Sequence, residues 1–212
     1  MPRMIIGLTG GMGCGKTVAA TMFADHGFGV SDSDAIIRDR LLTAPEVVLA
    51  IREHFGAGVL TGTGDVDRGS VAERVFSDEA ALQWLEDLLH PRLHAIWRTE
   101  IEGTPGKSWV VEVPLLFEKG LQNWFDFTVG VASHPAVQLA RLERRGIPPQ
   151  LARQRISKQL PLAQKIELAD FVLLNDGSRD FLRAQVAALV DSLPTYPPRI
   201  RFNGVSAGRW GG

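Results

Sequence analysis

One run of eight residues limits this chain more than any other feature. Gly10-Gly11-Met12-Gly13-Cys14-Gly15-Lys16-Thr17 fits the pattern GxxxxGK[ST]. It lies between a short apolar run, Met4 to Leu8, and a helical pattern that begins at Lys16. Strand, glycine-rich turn and helix in that order form a phosphate holder. The glycines let backbone N–H groups turn inward on phosphate oxygens, and the helix N-terminus adds the positive end of its dipole. Lys16 is expected to reach the β/γ-phosphates of a nucleotide, and Thr17 to offer its hydroxyl to Mg²⁺.

The rest of the pattern supports an α/β chain. Apolar runs at Met4 to Leu8, Trp109 to Val113, Phe127 to Val131 and Phe171 to Leu174, with Phe28 to Val30 as a weaker fifth, alternate with longer helical patterns. Continuous rather than alternating apolar residues predict strands buried on both faces, hence a parallel sheet in a three-layer fold. Lys16 to His26 reads as the first helix, with Gly27 as its C-cap. Asp34 to Leu42, Pro45 to Phe55, Gly69 to Phe76, Asp78 to His90 and Pro91 to Ile101 are all helical in pattern, interrupted by a turn-rich Gly56 to Gly64. That is more helix than one crossover needs, so about 34–104 is expected to be an inserted substrate-binding region. Helical patterns at Pro135 to Arg145, Gln150 to Gln159 and Pro161 to Leu168 make a lid of about 135–168, and Arg179 to Leu193 is the last helix. The core is then 1–33, 105–134 and 169–193, with a loosely ordered tail over 194–212.

A length of 212 residues suits one globular domain with such an insertion. The net charge of -1 gives no reason to expect nucleic acid or an anionic membrane as partner. No run approaches the roughly 20 apolar residues of a bilayer span, and none resembles a secretory core. The single cysteine, Cys14, cannot form an internal disulfide. A cytoplasmic monomer acting on small molecules is expected.

Several side chains are candidates for chemistry. Ser31-Asp32-Ser33-Asp34 places two carboxylates after the second strand, at the sheet edge where open α/β folds bind ligands. Asp34 either orients an acceptor hydroxyl or caps a helix. Glu112, at the end of the third strand, either assists Mg²⁺ through water or is a salt-bridged strand-end acid. Glu118 is a further acid beside an apolar patch. Arg141, Arg144, Arg145, Arg153, Arg155, Lys158 and Lys165 face only Glu143 as an acid within their segment. A lid arginine there would stabilise transferring phosphoryl charge, whereas a solvated face is the plain alternative. His90 and His94 stand at helical spacing, but Pro91 occupies the position where a zinc-protease helix has Glu, so substrate contact or a helix junction is expected of His90. For Cys14, a small filler side chain is the expected role, and a thiol pKa depressed by the helix N-terminus and Lys16 is the alternative.

In this order the motifs resemble the dephospho-CoA kinase family, from Ile6 to about Ser178. Gly7-Leu8-Thr9-Gly10 through Thr17 is similar to its opening. Asp32-Ser33-Asp34-Ala35-Ile36-Ile37-Arg38, Leu89-His90-Pro91, Pro114-Leu115-Leu116-Phe117-Glu118, and Gln159 with Lys165, Ala169-Asp170 and Asn175-x-Gly177 are similar to its later motifs. The resemblance implies a nucleoside-monophosphate-kinase-like P-loop fold with a five-stranded parallel sheet, and transfer of the ATP γ-phosphoryl group to the ribose 3′-hydroxyl of dephospho-CoA. It implies Asp34, Lys16 and Arg141 as catalytic, and Gly11, Met12, Gly13, Cys14, Gly15, Lys16, Thr17, Val18, Arg141, Asn175 and Gly177 as ATP-binding. Asp34, Arg38, His90, Pro91, Leu115 and Glu118 would meet the acceptor. Cys14 stands where the family more often has serine or alanine, Ser33 where it has alanine, and Glu112 falls at a variable position. The alternatives are another P-loop small-molecule or nucleoside-monophosphate kinase, or a nucleotide-binding regulatory switch. Against the switch, no Asn-Lys-x-Asp base-recognition motif occurs.

Overall fold

The structure is a computed structural model that describes residues 3–199. It divides into two compact units, Met1–Ser31 with Gly106–Gly212, and Asp32–Pro105.

The first unit is built on a sheet of five strands, β1 (Ile5–Gly10), β2 (Gly29–Asp32), β3 (Trp109–Glu112), β4 (Phe127–Ala132) and β5 (Phe171–Leu174), in the order β2-β3-β1-β4-β5. The central β1 runs parallel to β3 with Ile5 opposite Trp109 and parallel to β4 with Ile6 opposite Phe127, while β5 is parallel to β4. Both neighbours of β1 are therefore reached by crossovers, and its carboxyl end opens into the glycine loop. Helix α1 (Lys16–Asp25) leaves that loop and packs with α9 (Arg179–Ser192). Ala19, Met22 and Phe23 of α1 and Leu182, Val186 and Leu189 of α9 share one core with Ile6, Leu8, Val129 and Val131 of the sheet.

Every residue of β1, β3 and β4 is buried, as continuous apolar runs predict. The edge strands depart from that expectation. Val172 and Leu174 of β5 are exposed while Leu173 between them is buried, the alternation of a strand covered on one face only. The Gln185 side chain covers part of this edge: its amide donates to Leu174 O at 2.8 Å and accepts from Leu174 N at 2.9 Å.

Helices α6 (Pro135–Arg144), α7 (Pro149–Ser157) and α8 (Leu162–Leu168) fill the segment between β4 and β5, and α8 packs on β1 and β4. The tail is less loose than its prolines suggest. Leu193–Thr195 forms a 3₁₀ turn. Arg199 donates from its backbone to Asp126 O at 3.0 Å and from its guanidinium to Asp170 Oδ1 at 2.8 Å. Residues 200–212, with the Gly-Arg-Trp-Gly-Gly end, lie outside the described residues.

The second unit is helical. Asp32 caps α2 (Ser33–Ile36), accepting from Ala35 N at 3.0 Å, and the chain continues as a π-helical turn over Ile37–Leu41. Then come α3 (Pro45–Phe55), α4 (Arg68–Ser77) and α5 (Glu79–Glu102), the last two capped by Asp67 and Asp78. Two expected helices, meeting at His90 and Pro91, are one. Leu89, Leu93, Trp97 and Ile101 form a single buried stripe at four-residue spacing through Pro91. Burying such side chains is worth about 1.5–3 kcal/mol each, against about 3 kcal/mol for an interior proline. The stripe wins, and the helix does not break. Among the described residues, no helix is long and apolar enough to cross a membrane.

Candidate active site

The phosphate loop is shaped by its glycines and by what stands behind them. Gly10 and Gly15 adopt φ of 144° and 91°. A Cβ at Gly10 would lie 2.2 Å from Val131 O, and one at Gly15 would lie 2.2 Å from Asn175 Nδ2. Neither position admits a side chain. Behind the loop, Asn175 Nδ2 donates to Cys14 O at 2.8 Å, while Arg141 Nη1 donates to Gly13 O at 3.3 Å and Cys14 O at 3.4 Å. The cluster closes on itself: Arg141 Nη2 and Ser133 Oγ each donate to Asn175 O at 2.8 Å, and Arg141 Nη1 donates to Ser133 Oγ at 3.0 Å. Because a peptide is planar and trans, drawing the Cys14 carbonyl to this cluster turns the Gly15 N–H the other way. That is the orientation an anion needs.

A cavity of about 360 Å³ adjoins the loop, lined by Gly15, Val18, Arg141, Asn175 and Gly177 together with Arg144, Arg145 and Arg179. Five residues nominated for ATP thus meet at one place, from the loop, α1, α6 and the turn after β5. Lys16 Nζ lies back over the loop, donating to Gly11 O at 3.3 Å and Gly10 O at 3.4 Å. Thr17 Oγ1 donates to Glu112 Oε1 at 3.2 Å, which sets a buried carboxylate beside the hydroxyl expected to meet Mg²⁺. Both are hard oxygen donors, of the kind Mg²⁺ takes one or two at a time alongside phosphate oxygens. Cys14 takes the expected filler role, and the activated-thiol alternative fails. Its side chain is fully buried, and desolvation raises the thiol pKa despite the opposing charge of Lys16. It fills space.

Glu118 and Lys165 are also drawn inward. Lys165, expected on a basic lid face, is fully buried with Nζ 2.8 Å from Glu118 Oε1, and the same oxygen accepts from Leu160 N at 2.9 Å. Leu115 is half-buried in the turn between Glu112 and Glu118. Of the other basic residues in that segment, Arg144, Arg145, Arg153, Arg155 and Lys158 are exposed.

In the helical unit, Asp34 is exposed in the first turn of α2, and the cap is made by Asp32. The alternative that Asp34 is the N-cap therefore fails. Arg38 forms a bidentate pair with Asp39, Nε to Oδ1 and Nη2 to Oδ2 both at 2.6 Å, and this holds the Asp39 carboxyl below its ordinary pKa. His90 is half-buried and stacks toward His94, ring centroids 6.2 Å apart, with His94 5.1 Å from Trp97. Burial first, then His90 and Arg98, depress the His94 pKa to about 4. His90 marks no helix junction, since α5 runs through it, and Pro91 is exposed within that helix. Among the described residues, no three His, Cys, Asp or Glu side chains gather as a metal cage.

Comparison with known proteins decides the family. The Dephospho-CoA kinase family model matches residues 4–180. The chain belongs to the dephospho-CoA kinase family. Dephospho-CoA kinases of Shewanella oneidensis and Gloeobacter violaceus are 34% and 36% identical to it, over 89% and 90% of this chain and 93% of each relative. The crystal structure of TT1252 from Thermus thermophilus matches with a TM-score of 0.80 at 32% identity, covering 90% of this chain and 98% of that one. The fold is that of the P-loop kinases, and the chain is a kinase.

Three residues of this kinase site escaped the sequence reading: Ser133, Gln138 and the inward role of Lys165. Gln138 is buried, its Nε2 donating to Ser133 O at 2.8 Å and its Oε1 2.9 Å from where a Gly11 Cβ would be. A signal existed only for Lys165, which stands three residues after Leu162 and one before Ile166, on the apolar side of α8.

Proposed function

We propose that this chain transfers the γ-phosphoryl group of ATP to the ribose 3′-hydroxyl of dephospho-CoA, giving CoA and ADP in the last step of CoA synthesis. The observation that carries the reading is the family match, which spans the phosphate loop and the acceptor motifs in one stretch. The donor half has independent support in the Gly15 amide orientation and the adjoining cavity.

In this reaction the loop amides and Lys16 bind the β/γ-phosphates, and the cavity lined by Val18, Asn175 and Gly177 takes the nucleoside. Arg141 fixes the loop from behind and forms a wall of that cavity. Thr17 and, through water, Glu112 would hold Mg²⁺, which would supply charge neutralisation to the nucleotide phosphates. Asp34 accepts the proton of the acceptor hydroxyl as the new O–P bond forms in line with the breaking bond to ADP. Arg38, His90, Pro91 and Leu115 contribute to the acceptor site. A single cysteine, with no second one for an internal disulfide, suits a cytoplasmic enzyme, and one chain carries both donor and acceptor residues, as a monomer requires.

A coupled assay of ADP release, run with dephospho-CoA, nucleoside monophosphates and shikimate as separate acceptors, tests the reading. Release dependent on dephospho-CoA alone is expected. Preference for another acceptor, or nucleotide binding with no acceptor-dependent release, would overturn it.

A further inference from the structure

Two chemically different supports flank the phosphate loop. One is the cluster of Arg141, Ser133 and Asn175 behind Gly13 and Cys14. The other lies toward Gly11 and is organised by a charge that has no access to water. Lys165 is fully buried, and its ammonium reaches Glu118 Oε1 at 2.8 Å and Pro114 O at 2.7 Å. Pro114 O also accepts from Thr9 Oγ1 at 3.3 Å, and Thr9 is the residue before the loop. Glu118 Oε1 takes the backbone N–H of Leu160, and Leu162, two residues on, reaches within 3.6 Å of where a Gly11 Cβ would be. The pair therefore joins the end of β1, the turn that follows Glu112, and the entry to α8, and it stands α8 against the loop.

A buried ion pair is poor evidence for stability, since an apolar pair of the same volume often folds as well. What such a pair does supply is geometry. Its two charges must meet, so the segments that carry them hold one relative position. We propose that Lys165 and Glu118 are positioning residues for ATP: they fix the first turn of α8 as the wall against which Gly11 and the phosphate loop keep their nucleotide-binding shape. Glu118 then acts on the donor side and does not contact the acceptor. The inference rests on the nucleotide-binding half of the function proposed above and is independent of which acceptor is used.

The test uses Lys165→Met/Glu118→Gln in the full chain. It removes both charges, keeps the volume, and leaves an amide oxygen for Leu160 N–H. ATP affinity with Mg²⁺ is measured by calorimetry well below the variant's melting temperature, with hydrogen exchange of the Gly11 to Thr17 amides and turnover of dephospho-CoA alongside. The expected result is ATP binding weakened about tenfold with faster exchange in the loop. Parental affinity and exchange in the folded variant overturn the proposal, because a merely structural pair would move only the melting temperature. Should the double variant not fold, Glu118→Asp, which keeps both charges and draws the carboxylate back by one methylene, is expected to weaken ATP by about threefold. A raised KM for dephospho-CoA with unchanged ATP affinity in that variant returns Glu118 to the acceptor and overturns the proposal as well. Failure of the acceptor assignment would show instead as a parent chain that binds ATP and does not turn over dephospho-CoA.

Discussion

The sheet unit and the helical unit hold their functional residues by opposite means. Around the phosphate loop the bonds span the chain: Asn175 to Cys14 crosses 161 residues, Thr17 to Glu112 crosses 95, and Lys165 to Pro114 crosses 51. In Asp32–Pro105 most polar contacts are local. Asp32 with Ala35, Asp67 with Ser70 and Asp78 with Ala81 are three residues apart, and Arg38 with Asp39 is one. The longer reach of Arg40 to Glu100 is an ion pair with a half-exposed guanidinium, of a kind worth little. A long-range network in a buried setting is cooperative, so loss of one member unsettles the rest. Local caps contribute separately. The donor site should therefore fail as a unit, and the acceptor region should lose residues one at a time.

The largest test of that contrast is Asp34→Asn. Its carboxylate lies in the region of local contacts, so the change should leave ATP affinity at the parental value while turnover falls by roughly 10² to 10⁴, the range for general acid–base assistance. Steady-state kinetics with a parallel binding titration checks it, and unchanged turnover removes Asp34 from the mechanism. Next comes Gly15→Ala, on the networked side. An alanine there meets a left-handed φ of 91° and the Asn175 amide. The conformational penalty is about 1–2 kcal/mol, and displacing Asn175 costs the Cys14 carbonyl its shortest hydrogen bond, about 1 kcal/mol more. ATP affinity should fall by roughly 10². Normal ATP binding in a folded Gly15→Ala protein would show that the loop is not held by this network.

How far the sequence could foresee these regions follows from the same contrast. Strands, the loop and most helices were legible because their signals are local: apolar runs, glycine spacing, caps. The loop's own residues were legible for that reason too. The cluster behind it was not, since nothing near Ser133 or Gln138 in the chain announces that they meet Gly11 and Cys14. Lys165 was misread as a lid cation because a charge run normally marks a solvated face, and only the fold brings Glu118 to it. The continuous α5 was missed because proline is a strong local breaker, while the stripe from Leu89 to Ile101 that outweighs it is a tertiary effect.

Smaller tests probe whether the helical unit's contacts are as separable as they look. His94 is buried on α5 with its pKa depressed to about 4, facing His90 on the previous turn and Arg98 on the next. The unfolded chain takes up that proton near 6.5, so between about 6.5 and 4 the unfolded state binds more protons than the native one. Stability from this group is complete above that window and declines as pH falls through it, by at most roughly 3 kcal/mol. Urea denaturation across pH 7.5 to 4 should show the decline, and His94→Phe should flatten it. Parallel curves for parent and variant would assign the acid loss to other groups.

The smallest expected effect is the sharpest on the comparison itself. Asp32→Ala removes the cap of α2 and its bond to Ala35 N. A lost N-cap costs about 1 kcal/mol, which for a chain of this size lowers the melting temperature by roughly 2–4 °C. Because Asp32 bonds within its own helix turn, ATP affinity should not move, and turnover should change only as far as the first turn of α2 frays and Asp34 loses its alignment. Calorimetric melting and ATP titration on the same sample separate the two quantities. A drop in ATP affinity as large as the one from Gly15→Ala would mean that the cap belongs to the long-range network, and the division between a cooperative donor site and a locally held acceptor region would fail.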